Sequence, residues 1–250
     1  MKTDSEFEGR VAVVTGGSDG LGLDFCRALA SRGATVFFCG RNIQKGERAA
    51  KELGQNARFV RADVSEASDI RDFAAEVRSQ VARIDYLINN VATDDRIEFD
   101  ALNEDVVDRM WRINLRSYLL ASRSFYDLLL AGDGKSVVNI ITTNYMLGLS
   151  PFTLYNATKS GIVGFTRSLA RELGPQGIRV NAVSPGWVAT EKQLSNHMSE
   201  ADRAQLLADQ ALKFLLAPEH VTPPVLFLLS SASSAITGQN LVVDAGKVMQ

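Results

Sequence analysis

The chain has 250 residues, 46% of them hydrophobic and 22% charged, with a formal net charge of −2. That length and apolar fraction predict one domain with a large core, and charge of both signs scattered along the chain excludes the basic stripe of a nucleic-acid binder. The longest apolar runs are strand length and the opening MKTDSEFEGR is polar, so no signal peptide, no membrane association and a cytoplasmic protein are expected.

In chain order, short β-branched runs alternate with longer amphipathic stretches. Strands are predicted at Arg10 to Val14, Thr35 to Cys39, Ala57 to Arg61, Ile84 to Ile88, Ser136 to Ile141, Arg179 to Val183 and Leu241 to Asp244. The clearest helical patterns are Leu21 to Arg32, Asn103 to Leu130, Thr153 to Leu173 and Pro218 to Leu229. Apolar strands without a polar face, each followed by a helix, predict a doubly wound α/β fold: one Rossmann domain over 1–250 with a parallel seven-stranded sheet covered on both faces. Residues 187–215 are the irregular exception, long and polar, and suit a mobile lid as well as an ordinary surface excursion. Cys26 and Cys39 lack metal-like spacing and are expected as buried thiols; with only His197 and His220 beside them, no metal site is expected.

The turn after the first strand, TGGSDGLG, spaces its glycines as Gly16-x-x-x-Gly20-x-Gly22. Glycines there allow a sharp turn and close backbone approach, so that a pyrophosphate can sit on amides at the next helix's N-terminus. Strand two ends in Gly40-Arg41-Asn42, where a dinucleotide's adenosine ribose would lie. Arg41 can pair with a 2′-phosphate, which favours NADP and leaves NAD possible; Asp19, inside the turn, argues the other way. Farther on, Tyr155 and Lys159 stand four apart, on one helix face. Taken alone, such a pair is equally compatible with two solvated side chains.

Together these segments resemble the classical short-chain dehydrogenase/reductase family over nearly the whole chain. The resemblance rests on TGGSDGLG, Asp63-Val64, NNVA at Asn89 to Ala92, Asn114 in RINL, YNATK at Tyr155 to Lys159, SPGWVAT at Ser184 to Thr190 and ITGQNLVVDAG near the end. It implies that Asp63 meets the adenine, Asn89 braces the sheet, and the turn from Pro185 to Thr190 holds the nicotinamide carboxamide. The candidate cofactor-binding residues are therefore Thr15, Gly16, Ser18, Asp19, Gly20, Leu21, Gly22, Arg41, Asn42, Asp63, Val64, Asn90, Tyr155, Lys159, Pro185, Gly186, Val188 and Thr190. Two departures stand out. Val91-Ala92 replaces the family's Ala-Gly, and the family's catalytic Ser, thirteen residues before the Tyr, is Thr142, with Thr143 as the alternative should the loop shift by one.

A hydride transfer from an alcohol needs a base for the hydroxyl proton, and Tyr155 is the candidate. Lys159, one turn away, is expected to acidify it: a unit charge ~4 Å off contributes roughly 4 kcal/mol at an effective dielectric of about 20. The resemblance adds that Lys159 grips the nicotinamide ribose, Thr142 holds the substrate oxygen and Asn114 anchors a water relay to Lys159. NNVATDDR, the LGL at Leu147 to Leu149, ELGPQGIRV and the segment from TEKQ to QALK look like the aldose 1-dehydrogenase branch, the D-xylose type above all. Asn144, Tyr145, Trp187, Gln193 and Asp95 would then line a sugar pocket, and the product would be a lactone. A 3-oxoacyl thioester reductase and a non-catalytic dinucleotide-binding protein are the alternatives. Apolar residues beyond one stripe on the long helices (Trp111, Tyr118, Leu119, Phe125, Ile162 and Phe165) suggest partner helices, and the resemblance implies a homotetramer.

Overall fold

The computed structural model of the chain describes residues 6–196 and 198–249; His197 lies outside them. Seven strands form one parallel sheet: β1 Val11–Thr15, β2 Thr35–Gly40, β3 Ala57–Arg61, β4 Tyr86–Asn89, β5 Ser136–Ile140, β6 Arg179–Pro185 and β7 Asn240–Val243. Their order is β3-β2-β1-β4-β5-β6-β7, with every pairing parallel. Alternate side chains of a strand point to opposite faces. Ala12 and Val14 of β1 accordingly join one core with Phe25 and Leu29 of helix α1 (Gly20–Ala30) and with Val221 and Val225. Val13 joins the other, with Phe73 and Phe125. This is the single doubly wound Rossmann domain expected.

The remaining helices are α2 Ile43–Leu53, α3 Ala67–Gln80, α4 Glu104–Trp111, α5 Ser117–Ala131, α6 Asn144–Leu147, α7 Thr153–Leu173, α8 Glu191–Asn196, α9 Glu200–Asp209 and α10 Pro218–Leu229. None among the described residues is long and apolar enough to cross a membrane. Strand order reverses between β1 and β4, where successive crossovers leave for opposite sides. A crevice therefore opens beyond the carboxyl ends of these strands.

Three differences from the sequence reading have physical causes. Strand β4 starts at Tyr86 rather than Ile84 because the buried Asp85 carboxylate accepts from the Val11, Asp133 and Gly134 amides, at 2.9 to 3.0 Å, and fixes the strand's entry. The helix predicted from Asn103 to Leu130 is interrupted by a π turn at Arg112–Arg116, a device frequent at functional sites, which carries the buried Asn114. The stretch expected to be irregular contains α8 and α9; Ser199 and Asp202 cap α9 reciprocally, in a capping box legible as SEAD.

The surface reading of the long helices also needs correction. Tyr118, Phe125 and Ile162 are core residues, whereas Trp111 and Leu119 are exposed.

Candidate active site

A cleft of about 700 Å³ lies over the carboxyl ends of the central strands, reaching from Gly16 and Arg41 at one end to Trp187 and Gln193 at the other. Its floor is the turn between β1 and α1. Gly16 has φ +71°, and a Cβ there would lie 2.8 Å from Val91 Cγ2. At Gly22 a Cβ would lie 2.0 Å from the Gly16 carbonyl oxygen, so the turn closes only with hydrogen at both positions. Asn90 fastens this turn to β4 by donating its side-chain amide to the Thr15 and Gly16 carbonyls. The site fits a dinucleotide: a bare-backbone turn at a helix N-terminus, at the topological switch point, in an elongated cleft.

At the Arg41 end, the Arg41 guanidinium stands 3.8 Å from the Asp63 carboxylate, and both line the cleft with Val64. The other Asp63 oxygen accepts from the Ser65 amide and hydroxyl. Asp19 does not bring an uncompensated charge: although burial works against its ionisation, hydrogen bonds from Lys45 and the Gly20 amide hold it below the usual carboxylate range. Asn42 caps α2 by accepting from the Lys45 amide and is not part of the cleft lining. Thr15 and Gly22 likewise sit behind the surface; the Thr15 hydroxyl accepts from the Asn90 amide.

In the middle of the cleft, Tyr155 and Lys159 emerge from the same face of α7, both nearly solvent-free. Burial pushes the Tyr155 phenol above its usual range, the Asp94 charge adds to this, and a hydrogen bond with Thr142 works the other way. Thr142 is buried, and its hydroxyl oxygen also accepts from the Asn144 amide at 3.2 Å. Thr143 instead donates both its amide and its hydroxyl to the Pro185 carbonyl, which identifies Thr142 as the residue facing Tyr155.

Lys159 is held by groups of two other elements. Its Nζ donates to the Ile140 carbonyl at 2.9 Å and to Tyr118 Oη at 3.1 Å, and burial lowers its pKa to about 7 against the raising effect of Asp94. Asn114 is equally committed. Its side chain accepts from the Thr93 amide and donates to the Thr93 carbonyl and to Thr158 Oγ1, so it positions the loop after β4 and does not itself line the cleft.

At the far end stand Asn144, Trp187 and Gln193, as expected, together with Asp94, Arg96 and Phe152. Asp95 is not among them: its carboxylate accepts from the Thr93 hydroxyl and from Arg109, two residues that do border the cleft. Tyr145 also points away, accepting from Asn240 Nδ2 at 3.1 Å and packing in a core with Ile162. Pro185, Gly186, Val188 and Thr190 border the cleft between these ends. Sequence reading set Asp94, Asp95 and Arg96 near a cleft edge but chose Asp95 as the candidate, and it missed Tyr118, whose spacing of four from Asn114 was the available signal.

The family model described as enoyl-(acyl carrier protein) reductase matches residues 16–247. The chain belongs to the short-chain dehydrogenase/reductase family. As a short-chain dehydrogenase/reductase it is an NAD(P)-dependent oxidoreductase, which agrees with the glycine turn and the phenol-lysine face just described. Among relatives, a protein named "Probable galactose dehydrogenase GalD" in Rhizobium meliloti (strain 1021) is 33% identical over 95% of this chain and 94% of its own. A D-xylose 1-dehydrogenase of Caulobacter vibrioides (strain NA1000 / CB15N) is 34% identical, with 96% of both chains covered. A solved structure described as a short chain dehydrogenase/reductase family protein superposes with a TM-score of 0.85 at 34% identity, covering 96% of this chain and 98% of that one.

Proposed function

We propose that this enzyme oxidises a cyclic sugar or polyol at an alcohol carbon, with an aldose going to its lactone, and prefers NADP. The carrying observation is the convergence of Thr142, Tyr155 and Lys159 in the one cleft that begins at the glycine turn. When bound, the oxidised nicotinamide supplies the hydride acceptor and a positive charge. Thr142 holds the reacting oxygen, and Tyr155 takes the hydroxyl proton during oxidation and returns it in the reverse direction. Lys159 places a cation beside the same site.

Support for a polyhydroxylated substrate is the polar far end. Asn144, Asp94 and Gln193 are groups whose hydrogen bonds go unmade when the wrong molecule enters, the basis on which hydroxyls are selected. The two sugar dehydrogenases among the relatives argue in the same direction. Residues 187–215 act as the lid in this reading, with α8 closing the far end. NADP is supported by Arg41, exposed at the cleft edge, and by the Lys45 bond that offsets Asp19. We further place the enzyme in the cytoplasm, on its two free buried cysteines, and assemble it as a homotetramer, on exposed Trp111 and Leu119.

The test is absorbance at the nicotinamide band with NADP or NAD and a panel of aldoses, polyols and acyl thioesters. Aldose-dependent NADP reduction that Tyr155→Phe abolishes, with cofactor affinity nearly intact, is expected. Turnover confined to acyl thioesters would replace the substrate, and tight cofactor binding without turnover would make the protein a dinucleotide-binding module.

A further inference from the structure

Lys159 Nζ, Tyr118 Oη and the Ile140 carbonyl oxygen close a triangle with sides of 3.1, 2.9 and 2.8 Å. Tyr118 comes from α5, Ile140 from the end of β5 and Lys159 from α7; the tyrosine is 1% exposed and so is the lysine. A phenol has one proton, and here it donates that proton to Ile140. Toward Lys159 the Tyr118 oxygen is therefore an acceptor only, and the carbonyl is an acceptor by nature. An amine between two acceptors, out of water, is favoured in its protonated form, against the opposing cost of burial. The ammonium's third N–H remains for the cleft, which Lys159 lines.

We propose that Tyr118 is a positioning residue for the reaction: its hydroxyl holds Lys159 charged and aimed at the cleft, so that the cation is in place when Tyr155 gives up its proton. The proposal rests on the reading of Tyr155 and Lys159 as the working pair. The other titratable groups acting at this triangle are Asp94, from the loop after β4, whose charge also favours the ammonium, and Tyr155 on α7, which acts on Tyr118. Both stay in place when the Tyr118 oxygen is removed, so a change on removing it belongs to that oxygen.

A lysine-selective NMR titration of the unliganded protein tests this, with the Lys159 signal assigned by its absence in Lys159→Arg. In Tyr118→Phe the Lys159 midpoint is expected to fall by about one pH unit, the effect of one lost hydrogen bond to a charged group. In the same variant the acid limb of alcohol oxidation moves up by about one unit and kcat drops roughly tenfold, because Tyr155 loses its charged neighbour at lower pH. A purely structural role would lower the melting temperature and leave the midpoint and the pH profile where they were; that result overturns the proposal. Should Tyr118→Phe fail to fold, a fluorotyrosine at 118 keeps the shape and weakens the oxygen as an acceptor. The midpoint then falls in the same direction, and an unchanged midpoint again overturns the proposal. The titration needs no turnover, so it judges Tyr118 separately: wild-type activity in Tyr155→Phe would remove the reading of the pair without touching the NMR result.

Discussion

Gln193 donates to Asp94 at 2.7 Å, joining α8 to the loop after β4 across 99 residues of sequence. Lys192 takes the other carboxylate oxygen at 3.0 Å, and Trp187 Nε1 donates to Gln193 at 2.8 Å, so three residues of one segment hang on a single side chain. Burial works against the Asp94 charge, yet the Lys192 and Gln193 bonds hold it below the usual carboxylate range. Asp94→Asn keeps the shape and loses the charge. The Michaelis constant for the substrate should rise roughly tenfold, from weakened charge-assisted bonds, with a smaller change in kcat. Cleavage within 191–209 under limited proteolysis should accelerate in parallel; unaltered cleavage would mean that Asp94 does not secure α8.

Thr142 replaces a serine expected at its position, and it lines the cleft with Tyr155. Thr142→Ser should retain most of the turnover. Thr142→Val, nearly the same volume without the oxygen, should lose about 10²-fold or more in kcat. Steady-state kinetics of the two variants decide the matter, and comparable rates in both would transfer the role to another group.

Arg41 stands at the cleft edge beside Asp63, 3.8 Å from its carboxylate. Arg41→Asp should raise the dissociation constant for NADP by at least tenfold and improve that for NAD, as read by fluorescence titration. An undiminished NADP preference would place the 2′-phosphate elsewhere.

Lys159 titrates at about 7 in the folded chain against an ordinary 10.5. Below pH 7 both folded and unfolded chains carry the charge, and the folded one bears the full cost of burying it. Between 7 and 10.5 the unfolded chain holds a proton that the folded chain lacks, so stability contributed by this site rises with pH through that window. Lys159→Met should therefore stabilise the protein most at pH 6, with the gain shrinking toward pH 10. Urea unfolding at pH 6, 8 and 10 checks the trend; an equal gain at every pH would contradict the buried cation.

Local signals carried the elements that repeat a simple period. Seven strands and the span of α7 followed from apolar runs and 3.6-residue spacing, and a spacing of four put Tyr155 and Lys159 on one face. What sequence could not supply was the partner across space. Asp94 and Asp95 are chemically equal in TDDR, and only their partners tell them apart: Lys192 and Gln193 for the first, Arg109 for the second. Tyr118 read as apolar surface because its one polar atom meets Ile140 and Lys159 from two other elements. Likewise, the carbonyl at the end of β5 that anchors Lys159 left no mark in the sequence, because any residue supplies a carbonyl.

Gly16 and Val91 share one small volume: the valine's Cγ2 fills space that any side chain at 16 would need. What stands at 91 is therefore constrained by the bare backbone at 16. Giving position 91 the family's smaller residue would relieve that one contact, but the left-handed backbone and the Asn90 amide 3.2 Å away would still bar a side chain at 16, so the valine is free to become smaller and the glycine is not free to grow.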